Sequence, residues 1–127
     1  MTATNLERLR GCLPLRIEEL SYDEPSLVLG GAGWSLSVLS SWRLLDEHGA
    51  VTLGGQSKEN DIREHLQALA DVDVVNVGIQ SESLPVDPRL QLSNGFVLEI
   101  FSDYPFDTWV WKVRNCDLIY VGPLLLK

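Results

Sequence analysis

A chain of 127 residues, 45% hydrophobic and 22% charged, is long enough to bury a core without metal or disulfide staples and too apolar to stay disordered. Its formal charge of −8 disfavours nucleic acid and anionic membranes as partners and favours basic ones. No apolar run approaches the about 18 residues that a membrane helix needs, and no apolar stretch marks a signal peptide. The expectation is therefore a single cytoplasmic domain over 1–127.

The chain opens with Thr4–Gly11, which reads as a short helix with Leu6 and Leu9 on one side. Leu13, Leu15 and Ile17 then alternate with Arg16 and Glu18, as in a strand over 13–20. Tyr22–Pro25 reads as a turn and Leu27–Leu29 as a strand, and Gly30-Gly-Ala-Gly33 makes a bend. Trp34, Leu36 and Val38 alternate with serines, the pattern of a strand with one buried face. Trp42–Leu45 and Ala50–Leu53 are two further strands around the Asp46–Gly49 turn.

The period then changes. Ile62, Leu66 and Leu69 fall at i, i+4 and i+7, which predicts a helix over about 58–70. Val72–Ile79 is β-branched and returns to strand. Leu84–Pro88 reads as a break. Ser93-Asn94-Gly95 is a strong hairpin signal between Leu90, Leu92 and the alternating Phe96, Leu98 and Ile100. After a loop at Asp103–Asp107, Trp109, Trp111 and Val113 share a strand face, and Leu118–Val121 is the last strand. The Leu124–Leu126 tail should pack against the body.

The second half echoes the first. Leu27 and Leu29 align with Leu90 and Leu92, and Trp34, Leu36 and Val38 align with Phe96, Leu98 and Ile100 after a one-residue slip. The predicted fold class is α+β, mostly antiparallel β. Two similar β-meander halves, about 11–55 and 71–122, are bridged by one helix.

Sites of chemistry are sparse. Cys12 and Cys116 lack the spacing of a zinc or redox motif and read as buried, reduced thiols, with a disulfide the alternative in an oxidising compartment. His48 and His65 lie in a turn and on a helix without a metal-ligand spacing, and the glycine-rich bend lacks the following helix and lysine of a phosphate loop. No cofactor, metal or catalytic residue is expected. Residues 71–107 carry seven acids and one base, a net of −6. That is either a solvated face or an acidic docking surface. Within it, Tyr104 and Phe106 lie between Asp103 and Asp107, outside regular alternation, as in a protein-binding hot spot or a loop tucked onto the sheet.

The stretch Leu92-Ser-Asn-Gly-Phe-Val-Leu-Glu-Ile-Phe-Ser-Asp103, with Ser40-Ser-Trp-Arg-Leu44, resembles a group of small bacterial α+β proteins. They share an Asn-Gly-x-x-Leu-Glu hairpin, a Trp-Arg-Leu strand and a late Trp strand. Similar small acidic proteins serve as immunity proteins against secreted toxins. The resemblance covers about residues 11–113 and implies no enzymatic activity.

Three functions follow as expectations. The first is a protein-binding module, most concretely an immunity protein that neutralises a basic toxin domain. Its candidate contacts are Glu82, Asp87, Glu99, Asp103, Tyr104, Phe106 and Asp107. The second is a small-molecule-binding or enzymatic domain with a site between the halves. The third is a homo-oligomer joined through strand edges or aromatic faces.

Overall fold

The period-two patterning sets the architecture. In the computed structural model, which describes residues 3–81, 84–103 and 107–122, strands such as Trp34–Val38 and Trp109–Val113 bury one row and turn the other outward. The first half contains α1 (Ala3–Arg10), β1 (Leu15–Arg16), β2 (Glu19–Asp23), β3 (Ser26–Gly31), β4 (Trp34–Val38), β5 (Ser41–Leu45) and β6 (Val51–Gly54). Next comes α2 (Glu59–Leu66), continued by a 3-10 turn at Gln67–Leu69. The second half contains β7 (Asp73–Ser81), β8 (Leu84–Leu92), β9 (Val97–Phe101), β10 (Trp109–Val113) and β11 (Leu118–Val121), with a 3-10 turn at Arg114–Cys116 before β11. The protein is mostly antiparallel β with two short helices, and no described helix is long and apolar enough to cross a membrane.

The strands form two sheets, in the orders β1-β7-β8-β9-β5-β6 and β11-β10-β4-β3-β2. Each half builds a three-stranded meander, β2-β3-β4 or β7-β8-β9, and then sends its last hairpin to the edge of the other half's meander. Hairpin β5-β6 pairs on β9, and hairpin β10-β11 pairs on β4. The two sheets therefore have the same strand order, apart from the extra edge strand β1. Equivalent details recur. The Gly55 N–H donates to the Trp42 carbonyl at 3.2 Å, and the Gly122 N–H to the Trp109 carbonyl at 2.7 Å. Gly122 also permits a close approach, because a Cβ there would lie 2.0 Å from Trp109 Nε1.

One apolar cluster joins everything. It draws Leu29, Leu36, Trp109 and Trp111 from one sheet and Trp42, Leu90, Leu98 and Ile100 from the other. Leu9 of α1 enters it, as do Ile62, Leu66 and Leu69, which form the predicted helical stripe. Arg63 fastens α2 to β2, donating to the Tyr22 carbonyl at 3.0 Å and pairing with Asp23 at 3.2 Å and Glu59 at 2.7 Å.

Several local expectations change. The strand expected over 13–20 divides into β1 and β2, and β2 runs on through Tyr22 and Asp23. The break expected at Leu84–Pro88 is instead the first half of β8. Proline is tolerated there because β9 pairs with β8 only at Arg89–Gln91, so the segment has β7 alone as a ladder partner and a missing N–H leaves nothing unpaired on the other side. The repeat keeps its face but shifts register. Leu29 faces Leu36, and the equivalent pair is Leu90 with Leu98, so Leu29 corresponds to Leu90 rather than Leu92. The 124–126 tail lies outside the described residues.

The expectation of two free thiols is also corrected. Cys12, just after α1, is bonded to Cys116 in the turn before β11, with Cα atoms 6.3 Å apart. Sequence spacing says nothing about this proximity, which arises from the docking of α1 over the sheets. The bond closes a loop with a sequence separation of 104. In the chain-entropy treatment such a loop is worth about 4–5 kcal/mol. Calorimetry with and without dithiothreitol should show Tm falling by about 10 °C or more on reduction, and a Cys12→Ser/Cys116→Ser variant should match the reduced protein.

Asp46 organises the β5–β6 turn, its Oδ1 accepting the backbone N–H groups of Ala50 at 3.0 Å and His48 at 2.8 Å. These bonds favour the ionised form and hold its pKa below the usual carboxylate value. A pKa lowered by folding contributes stability above the unfolded-state value, and that contribution is lost as pH falls through the folded-state value. NMR titration should therefore find Asp46 titrating below its value in the unfolded chain. Asp46→Ala should remove that part of the acid dependence of unfolding.

Candidate functional site

Besides the short step from β1 to β2 at residues 17–18, two connections carry the chain between sheets: residues 39–40 from β4 to β5, and residues 102–108 from β9 to β10. They pass each other at one place, where the backbone leaves its ladders while still buried. Its polar groups are met locally. The Leu39 and Ser40 N–H groups both donate to the Thr108 carbonyl, at 2.9 and 3.2 Å, and the Thr108 N–H donates to the Gly122 carbonyl at 2.9 Å. The Ser102 and Thr108 hydroxyls bond at 2.7 Å. Asp87 completes the crossing. Its carboxylate accepts the Ser102 N–H at 2.7 Å, the Ser102 hydroxyl at 2.5 Å and the Trp109 indole N–H at 3.2 Å.

Beside the crossing lies the outer face of the six-stranded sheet. The register places Arg43 of β5, Glu99 of β9 and Arg89 of β8 in one cross-strand row. Arg43 Nε donates to Glu99 Oε1 at 2.5 Å, and Arg89 Nε lies 3.5 Å from Glu99 Oε2. Only 9% of the Glu99 side chain remains exposed, against 47% for Arg43 and 40% for Arg89. The Arg43 guanidinium also sits 5.2 Å from the centre of the Phe101 ring, a cation–π contact. Two residues before Arg43 on β5 and opposite Phe101, Ser41 donates to Asp103 at 2.6 Å. The arrangement is a half-exposed arginine held from two sides, with an aromatic ring, a bound carboxylate and exposed Val51 and Val75 on the same sheet.

The residues expected to form a partner site divide into three groups. Asp87 and Glu99 are buried and engaged, the first in the crossing and the second between two arginines. Asp103 and Asp107 are exposed at the two ends of the loop, with Asp107 at φ 48°. Glu82, Tyr104 and Phe106 lie outside the described residues. Within the acidic segment Asp73 is paired too, with Arg16 at 2.9 Å. Arg43, Arg89, Phe101 and Ser41 were not singled out from sequence. Alternation in Trp42-Arg-Leu44 turns Arg43 outward, but only the long-range register reveals what stands beside it. Among the described residues no cluster of His, Cys, Asp and Glu side chains is grouped to hold a metal ion.

Comparison of the chain with protein families, curated proteins and solved structures finds no match.

The division between engaged and exposed acids is measurable. Asp87→Ala strands two N–H groups in a buried setting and should cost about 2–4 kcal/mol in urea unfolding. Asp103→Ala, on the surface, should stay within about 0.5 kcal/mol of wild type.

Proposed function

We propose that the protein is a protein-binding module whose contact surface is the outer face of the six-stranded sheet next to the crossing. One observation carries this reading. The equivalent row of the other sheet is Val28, Ser37 and Val110, in the same places as Arg89, Glu99 and Arg43. The fold is therefore built once with Arg-Glu-Arg and once with Val-Ser-Val. Cross-strand ion pairs contribute only about 0.2–1 kcal/mol each, and covering Glu99 adds a desolvation cost that the Val-Ser-Val row does not carry. Stability alone gives no reason for the charged version. A preorganised arginine stacked on a phenylalanine, on an open sheet face, is the composition of an interface hot spot.

Asp103 borders this face through Ser41 and, with the net charge of −8, favours a basic partner. The immunity-type reading suggested by the sequence resemblance fits here: the sheet face supplies the anchor, and the acidic loop speeds encounter with a basic toxin domain. A cytoplasmic complex would hold Cys12 and Cys116 reduced, whereas the bonded pair fits an oxidising compartment, and thiol trapping in cells distinguishes the two.

Co-expression with the product of the adjacent gene, followed by size exclusion and calorimetry, tests the proposal. Arg43→Ala and Phe101→Ala should each weaken the complex by about tenfold or more, roughly 1.4 kcal/mol. Asp103→Lys/Asp107→Lys should slow association and flatten its salt dependence. A complex whose affinity ignores both Arg43 and Phe101 would rule out this face.

A further inference from the structure

A second feature lies on the other sheet and is independent of that face. A cavity of about 480 Å³ opens where the β3–β4 turn of the first half meets the β10–β11 turn of the second. Trp34 and Ser35 line one side, and Lys112, Arg114, Asp117 and Ile119 line the other. Its size is within the range of small-molecule sites.

Most arginines of this chain are tied up, and the other described cations without an ion pair, Arg8, Arg10 and Lys58, lie apart on α1 and before α2. Five arginines are engaged: Arg10 donates to the Val77 carbonyl, and Arg16, Arg43, Arg63 and Arg89 pair with carboxylates. Lys112 and Arg114 are exposed, and neither has a carboxylate within ion-pair distance among the described residues. Both line the same cavity. In a protein of net charge −8, two unpaired cations converge on one concave place.

The surroundings narrow the ligand. Asp117 also lines the cavity, so the lining charge is +1, which suits a monoanion better than a dianion such as phosphate. An arginine fork fits a carboxylate. Ile119, with 67% of its surface exposed, gives a ligand an apolar contact on the same wall. The site's floor is fixed. Trp34 Nε1 donates to the Arg16 carbonyl at 2.9 Å, packed so closely on Gly31 that a Cβ there would lie 2.6 Å from the indole nitrogen.

We propose that this cavity binds a monocarboxylate with an apolar body, its carboxylate between Lys112 and Arg114 and its body against Ile119. The carboxylate belongs either to a free small acid or to the C-terminus of a peptide.

NMR titration of the intact, oxidised protein tests this with four probes: 4-methylpentanoate, its neutral amide, and a leucine-terminated peptide with a free or an amidated C-terminus. The expected result is saturable amide shifts at Ser35 and residues 112–119 with at least one carboxylate probe. The matching amide should bind about tenfold more weakly or worse. Arg114→Gln and Lys112→Gln, both at exposed positions, should each weaken binding severalfold while leaving the remaining spectrum in place. Saturation by 4-methylpentanoate alone assigns the site to free acids, and tighter binding of the free-carboxylate peptide assigns it to chain ends. Equal binding of acids and amides, or no shifts with either carboxylate at about 20 mM, overturns the proposal.

Discussion

The structure depends on two sheet-switching connections passing each other in a buried place. A strand that leaves its ladder gives up regular hydrogen bonds, and unpaired backbone groups in an interior cost about 1–3 kcal/mol each. Here the Thr108 carbonyl takes two N–H groups from the opposite connection, and Asp87 takes the N–H and hydroxyl of Ser102 together with the Trp109 indole. A carboxylate can do this because it offers about four acceptor sites. With the crossing satisfied, each hairpin can pair on the other half's meander. Neither sheet can then be assembled from one half alone. The interdependence of the two halves is a consequence of hydrogen-bond satisfaction at one point.

The inner faces follow from alternation and need little else. Trp42 and Trp109 begin the exchanged hairpins at equivalent places, and each has its carbonyl closed by the glycine beyond the return strand, Gly55 or Gly122. The tryptophans cover the junction where a meander from one half meets a hairpin from the other. Leu98 and Ile100 of β9, and Leu36 and Val38 of β4, complete the same layer from the meander side.

Much of this was legible from residues alone. Trp34, Leu36 and Val38 declare a one-sided strand, and Ile62, Leu66 and Leu69 declare a helix, because burial periodicity is a local signal. The exchange of hairpins was not legible. Alternation says which face of Trp42-Arg-Leu44 is buried but not which sheet it joins. The role of Asp87 was hidden for a related reason. It stands between two prolines in a segment that reads as a break, and its partners lie 15 and 22 residues away. Glu99 was legible as facing away from the core, but not as covered by Arg43 and Arg89, since cross-strand register is set by turns and long-range pairing. The Cys12–Cys116 proximity is non-local in the same sense.

An exchanged pair of similar halves leaves the two outer faces free to differ. Residues that point outward from a sheet contribute little to the common core, so changing Val28, Ser37 and Val110 into their charged counterparts Arg89, Glu99 and Arg43 leaves the architecture untouched. The six-stranded face has become a fixed array of arginines, a carboxylate and a ring. The five-stranded face stays small and mostly uncharged until its end, where Lys112 and Arg114 meet over a cavity formed by turns from both halves. The crossing holds both faces rigid relative to one core. A duplicated scaffold of this kind can separate a broad, preorganised contact surface from a narrow cationic one, because the constraint that makes the fold lies between them and uses neither.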